Sequence, residues 1–221
     1  MDPNGVYLFL IGPALWFSAT FCAAGFLARL CFLYGMSLGQ DKVFYNHQSF
    51  YWGSRSIAHW LVPWGSVSYR TQPVFTFFLF SFHLTLLATP IFCSAHNELL
   101  EKAFGFSLWS LPDTVTDAMT VILLVSGIFL LVRRLVRPEV RALTGVWDYV
   151  LLALTVLPFA SGFAAYHQAS PYGLWTIVHV ASGELLLVLL PLTKLGHVVL
   201  FFFTRAFIGF EMGTRRGTRT W

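Results

Sequence analysis

The sequence predicts an all-α integral membrane bundle of five transmembrane helices, and three observations carry that prediction. Of 221 residues, 57% are hydrophobic and only 11% charged, with a mean hydropathy of +0.68. The apolar residues fall into runs long enough for a helix to cross a hydrocarbon core of about 30 Å. The basic residues fall in alternate connecting segments, as in membrane proteins with a fixed orientation. This composition excludes a soluble domain with a large core. The net charge of +4 then reads as topology and not as a nucleic-acid footprint.

The five helices are expected at Val6–Tyr34, Gln72–Ala95, Pro112–Val132, Asp148–Ala165 and Leu174–Phe203. The first run carries no charge up to Leu27 and follows an acidic residue, Asp2. It is longer than a signal-peptide core, so it is expected to stay as an anchor. Lys42, Arg55 and Arg70 follow the first helix, Arg133, Arg134, Arg137 and Arg141 the third, and Arg205, Arg215, Arg216 and Arg219 close the chain. The opposite side offers Lys102 alone, beside Asp2, Glu98, Glu101 and Asp113. The positive-inside rule then places the N-terminus outside and the C-terminus in the cytoplasm. Residues 36–69 are too polar to cross. Their aromatics, Phe44, Tyr45, Phe50, Tyr51, Trp52, Trp60 and Trp64, suit an interfacial loop, with a short helix near 54–61 ended by Pro63.

Seven histidines occur, and ionisable groups inside a membrane mark functional sites. His179 and His197 lie 18 residues apart. On one continuous helix that is five turns, hence one face, and roughly 27 Å along the axis. The second helix holds His83 and ends at His96. Because the two helices run antiparallel, depth pairs His83 with His197 on the inner side and His96 with His179 on the outer side. Two imidazoles from opposite sides are what a low-spin b haem requires, so two haems stacked across the bilayer are expected. Gly183, one turn after His179, would let a flat macrocycle approach the backbone. Lys194, three residues before His197, would pair with a haem carboxylate. His83 and His96 are 13 residues apart, about 140° out of register on an ideal helix. Either Pro90 unwinds the helix or His96 stands past its end, and His167 is the rival outer ligand.

The remaining candidates have plainer readings. His47 and His59 suit the interface. Glu184, about 140° around from His179, is expected to bond a neighbouring helix. The three cysteines, Cys22, Cys31 and Cys93, form no CxxC, and no CxxCH occurs, so covalent haem and an iron–sulfur cluster held by this chain are excluded by motif. No internal repeat points to a transporter.

The runs LLVRRLVRPEVRALTGVWDYVLL, HVASGELLLVLLPLTKLGH and SFHLTL resemble the gamma, or cytochrome b, subunit of respiratory nitrate reductase and its relatives in sulfate-reducer redox complexes, including the high-molecular-weight cytochrome c complex. The resemblance covers rather more than half the chain. It implies five helices, two b haems, menaquinone as substrate, and partners that include a cytoplasmic iron–sulfur subunit or a periplasmic multihaem cytochrome c. It carries His83, His179 and His197 over well. The family spacing in the second helix falls on Cys93 and not on His96, and Thr116 and Asp117 stand where the family has a quinol-pocket lysine. The other reading is a membrane anchor subunit with one haem or none.

Overall fold

In the computed structural model the described residues are 3–40, 45–46 and 48–214. Asp2, Lys42, Phe44, His47, Arg215, Arg216 and Arg219, used above for topology and the interface, lie outside them. The described residues are overwhelmingly helical. Helix α1 spans Asn4–Gly39, with a widened turn at Leu10–Ala14 around Pro13. It is followed by α2 (Phe50–Leu61), α3 (Val67–Thr71), α4 (Pro73–Phe92), α5 (Ser94–Phe104), α6 (Asp113–Val136), α7 (Pro138–Ala142), α8 (Val146–Tyr166), α9 (Tyr172–Leu192), a tight turn at Lys194–Gly196, and α10 (His197–Thr214). Two compact units result: residues up to 7 with 77–183, and residues 8–76 with 184 onward.

In the first unit α6 packs on α8, and the buried contacts are small and polar. Ser126 and Ser161 are buried with Thr116, Thr120 and Thr155, while Ile128, Val125 and Val121 on α6 are exposed. Lipid is as apolar as leucine, so helices associate through close backbone approach and large apolar side chains face outward. The buried hydroxyls bond back to their own helices: Thr120 to the Thr116 carbonyl at 2.8 Å, Thr155 to Leu151 and Ser161 to Leu157, each at 2.7 Å. Leu123, fully buried, and Phe82 complete this small core. At the basic turn Arg134 donates to the Asp148 carbonyl at 3.1 Å, and the Asp148 carboxylate accepts from the Gly145 N–H at 2.9 Å, closing the first turn of α8.

In the second unit α10 lies against α2. Gly209 and Gly213, one turn apart, make that approach possible. A Cβ on Gly213 would stand 2.5 Å from the Trp52 ring, and one on Gly209 would meet the Trp52 carbonyl and come 2.8 Å from Ser56 Cβ. From the other side, Gly53 admits the Phe210 ring. The Arg205 guanidinium sits 3.7 Å over the Trp60 ring. Ser49 caps α2 by accepting the Trp52 N–H at 3.5 Å. Burial, and then Arg70 and Arg55, hold the His59 imidazole below its ordinary range.

Six helices among the described residues are long and apolar enough to cross a membrane, where the sequence predicts five. The difference lies in the last run. The expected helix Leu174–Phe203 is two, because Pro191 withholds one donor and Thr193 is extended (φ −121°, ψ −173°). His179 and His197 therefore stand on separate helices, and the five-turn register expected between them does not hold. The second correction is at Cys93, whose backbone is extended (ψ 133°). Helix α4 ends at Phe92, and His96 occupies the first turn of α5, a helix that the sequence reading left out.

Candidate functional site

The four histidines expected to bind haem share one local device. Each has Nδ1 at hydrogen-bond distance from a main-chain carbonyl: His83 to Leu79 at 2.7 Å, His96 to Pro90 at 2.9 Å, His179 to Pro158 at 2.7 Å and His197 to Lys194 at 2.9 Å. A carbonyl oxygen only accepts, so Nδ1 must carry the proton and Nε2 keeps the lone pair. That is the tautomer that a metal-binding imidazole needs, with its orientation fixed by the bond behind it.

Two of these rings meet within the first unit. His96 and His179 have ring centroids 5.9 Å apart and planes inclined by only 17°. His96 and His179 are thus the residues that would hold a shared iron, and haem would supply one-electron chemistry there. Among the described residues no three His, Cys, Asp or Glu side chains cluster as a metal site. Bis-imidazole ligation needs only two, since the macrocycle supplies the other donors.

Prolines and glycines build the pair. Pro90 lies in the last turn of α4, and the break at Cys93 leaves its carbonyl for His96. On α8 the Pro158 carbonyl is reached by His179 because Gly162 presents no side chain: a Cβ there would stand 2.7 Å from His179 Nδ1 and 2.8 Å from Cε1. Gly183, one turn beyond His179, has nothing within 4 Å of where its Cβ would point. Gly183 has open space beside it and Gly162 fixes the His179 ring, so two oriented imidazoles are what these residues would offer a haem.

His167, the rival outer ligand, is engaged elsewhere. Its Nε2 lies 3.2 Å from Asp117 Oδ2, and its ring packs on Phe163 at 4.4 Å. Ser94 donates to Asp113 at 2.8 Å, and the Tyr166 hydroxyl also bonds Asp113. Asp113, Asp117, Ser94, Tyr166 and His167 thus form a polar group where α5 begins, α6 begins and α8 ends. Thr116, buried, spends its hydroxyl on the Asp113 carbonyl at 2.9 Å.

His83 belongs to the first unit and His197 to the second, so their pairing is carried by the sequence alone. Lys194 is exposed and lies in the tight turn, where its carbonyl holds His197. Glu184 is only 7% exposed, and its Oε1 meets no hydrogen-bond partner among the described residues. The bond to a neighbouring helix expected of the Glu184 carboxyl is not made through Oε1.

Two residues at these positions escaped the sequence reading. Gly162 gives no periodic signal, although the S-G pair within an apolar run marks close helix approach. Arg29 stands in an otherwise uncharged run, and an intramembrane cation is itself a signal. Its Nη1 donates to the Pro191 carbonyl at 3.0 Å and to the Thr193 carbonyl at 3.3 Å.

No protein-family profile matches the chain, and no solved structure matches it significantly. A curated protein of Nitratidesulfovibrio vulgaris (strain Hildenborough), described simply as "Protein", is 38% identical over 219 residues, which is 97% of each chain.

Proposed function

We propose that this chain, which belongs to one family with the Nitratidesulfovibrio vulgaris protein, is a membrane dihaem cytochrome b subunit of a bacterial respiratory complex. The observation that carries the reading is the His96–His179 pair, 5.9 Å apart, each ring held by a carbonyl so that Nε2 is left for iron. Haem, when bound, supplies one-electron chemistry, here between a menaquinone pool and partner subunits. His96 and His179 would hold the outer haem, with Gly183 giving it room. His83 and His197 would hold the inner one. The chain's own contributions are ligation, a low dielectric and a fixed orientation of each imidazole.

The acidic group at the outer end is the place for quinone chemistry. Asp117, paired with His167, can accept a proton close to the chain segment that carries His96, and Asp113 beside it accepts hydrogen bonds from Ser94 and Tyr166. The partners proposed are an iron–sulfur subunit on the cytoplasmic side or a multihaem cytochrome c outside.

Five helices cross in this reading: α1, α4, α6, α8 and α9. Helix α9 alone, with 21 residues, spans roughly 31 Å. Helix α10 packs on α2, which has 12 residues and at roughly 18 Å is too short to cross. The two form a surface pair on the cytoplasmic side, with the N-terminus outside.

Pyridine haemochrome assay of the purified protein should count two b haems per chain, with low-spin EPR signals. His96→Ala should remove the same signal as His179→Ala, whereas His167→Ala should leave both. Protein without haem would end the proposal. A single haem would favour the second reading, a membrane anchor subunit, since His83 and His197 belong to different units.

A further inference from the structure

We infer that Arg29 is the positioning residue for His197, a role that rests on the haem reading above. Every link lies in the second unit. Extended Thr193 ends α9 and strips its last carbonyls of the donors a continuing helix would supply. The Leu195 N–H that would have bonded the Pro191 carbonyl instead meets the Thr193 hydroxyl at 3.3 Å. Arg29 replaces it: Nη1 reaches the Pro191 carbonyl at 3.0 Å and adds a bond at 3.3 Å to the Thr193 carbonyl, which also accepts from the Gly196 N–H at 3.1 Å.

The fit around that guanidinium is close. A Cβ on Gly196 would stand 2.7 Å from Arg29 Nη1. One turn back on α1, a Cβ on Gly25 would stand 2.8 Å from the Pro191 ring. Gly25 and Arg29, four residues apart and so on one face of α1, together seat that helix against the break. The turn they hold, Lys194–Gly196, presents the Lys194 carbonyl to His197 Nδ1 at 2.9 Å. Arg29 thus fixes the turn, the turn fixes the imidazole, and Nε2 is aimed as a ligand. The role also accounts for a cation in a membrane helix, which is costly unless it is bonded. A guanidinium beside the ligand turn adds positive charge that favours the reduced iron.

The test uses the purified full chain and two variants that attack the clamp differently. Arg29→Met removes the fork and the charge. Gly196→Ala keeps the charge and pushes the guanidinium off the carbonyls. Redox titration and EPR should show one of two haem signals moved in both variants and the other unmoved, with a downward shift of that haem's midpoint potential in Arg29→Met. The moved signal should be the one that His197→Ala abolishes. Both signals unchanged, or movement of the signal that survives His197→Ala, overturns the inference while the dihaem reading stands. Wild-type protein without haem overturns both. If Arg29→Met fails to accumulate, Gly196→Ala alone decides.

Discussion

Gly162→Ala should loosen the outer ligand without touching a ligand atom. The new Cβ would stand 2.7 Å from His179 Nδ1 and 2.8 Å from Cε1. Ordinary contact begins near 3.5 Å, so the ring must retreat by roughly 0.8 Å. The 2.7 Å bond from Nδ1 to the Pro158 carbonyl would then stretch to about 3.5 Å, the outer limit of hydrogen bonding. Overpacking of this size costs about 1–3 kcal/mol, and loss of a bond behind a metal-bound imidazole lowers metal affinity roughly 10- to 100-fold. Gly183→Ala is the matched control, because a Cβ there meets nothing within 4 Å. Its fold should be untouched, so haem lost from it would be displaced by the methyl itself. The assay is haem per protein after gel filtration, with EPR to tell the two sites apart. Gly162→Ala with full haem content and an unchanged signal would refute the argument that this contact orients His179.

The remaining predictions concern topology and the buried acid. A C-terminal alkaline phosphatase fusion should be inactive and a C-terminal fluorescent protein should glow, since five crossings from an outside N-terminus end inside. The opposite pattern would make α10 a sixth crossing. Glu184→Met should raise the thermal midpoint in detergent, because it removes a buried oxygen that has no partner, a burden of about 1–3 kcal/mol. A lower midpoint would refute the argument that this oxygen is an unsatisfied burden on the fold.

The membrane class was legible because it depends on composition and run length, which survive any detail of packing. Helix ends were less legible, and for one reason in two places. The run from Trp175 to Arg205 is predominantly apolar, and nothing in its periodicity marks a break. The break comes from Pro191 together with Thr193 and Gly196, and from a donor on another helix, Arg29, that satisfies the Pro191 carbonyl left by the missing Leu195 bond. At Cys93 the signal was present as the 13-residue spacing of His83 and His96. An ideal helix placed them about 140° apart, and the chain resolves this by ending the helix at Phe92.

The site shows the same division between residue type and tertiary context. Histidines were conspicuous because each is an expensive group in an apolar run. What orients them was silent, because carbonyl oxygens carry no residue signature. Four different arrangements supply those carbonyls: the preceding turn of the same helix for His83, a proline across a helix break for His96, a proline on another helix for His179 and a tight turn for His197. All four lead to one tautomer. An imidazole N–H in an apolar surrounding needs an acceptor whatever the ring does; what bears on ligation is that the same nitrogen, Nδ1, is bonded each time, so the same nitrogen, Nε2, keeps its lone pair. The recurrence across unrelated local structures therefore weighs more than any one distance. It also makes the weakest pair testable on the same terms as the strongest: if His83 and His197 bind iron, loss of the Lys194 turn should damage one haem as Gly162→Ala damages the other.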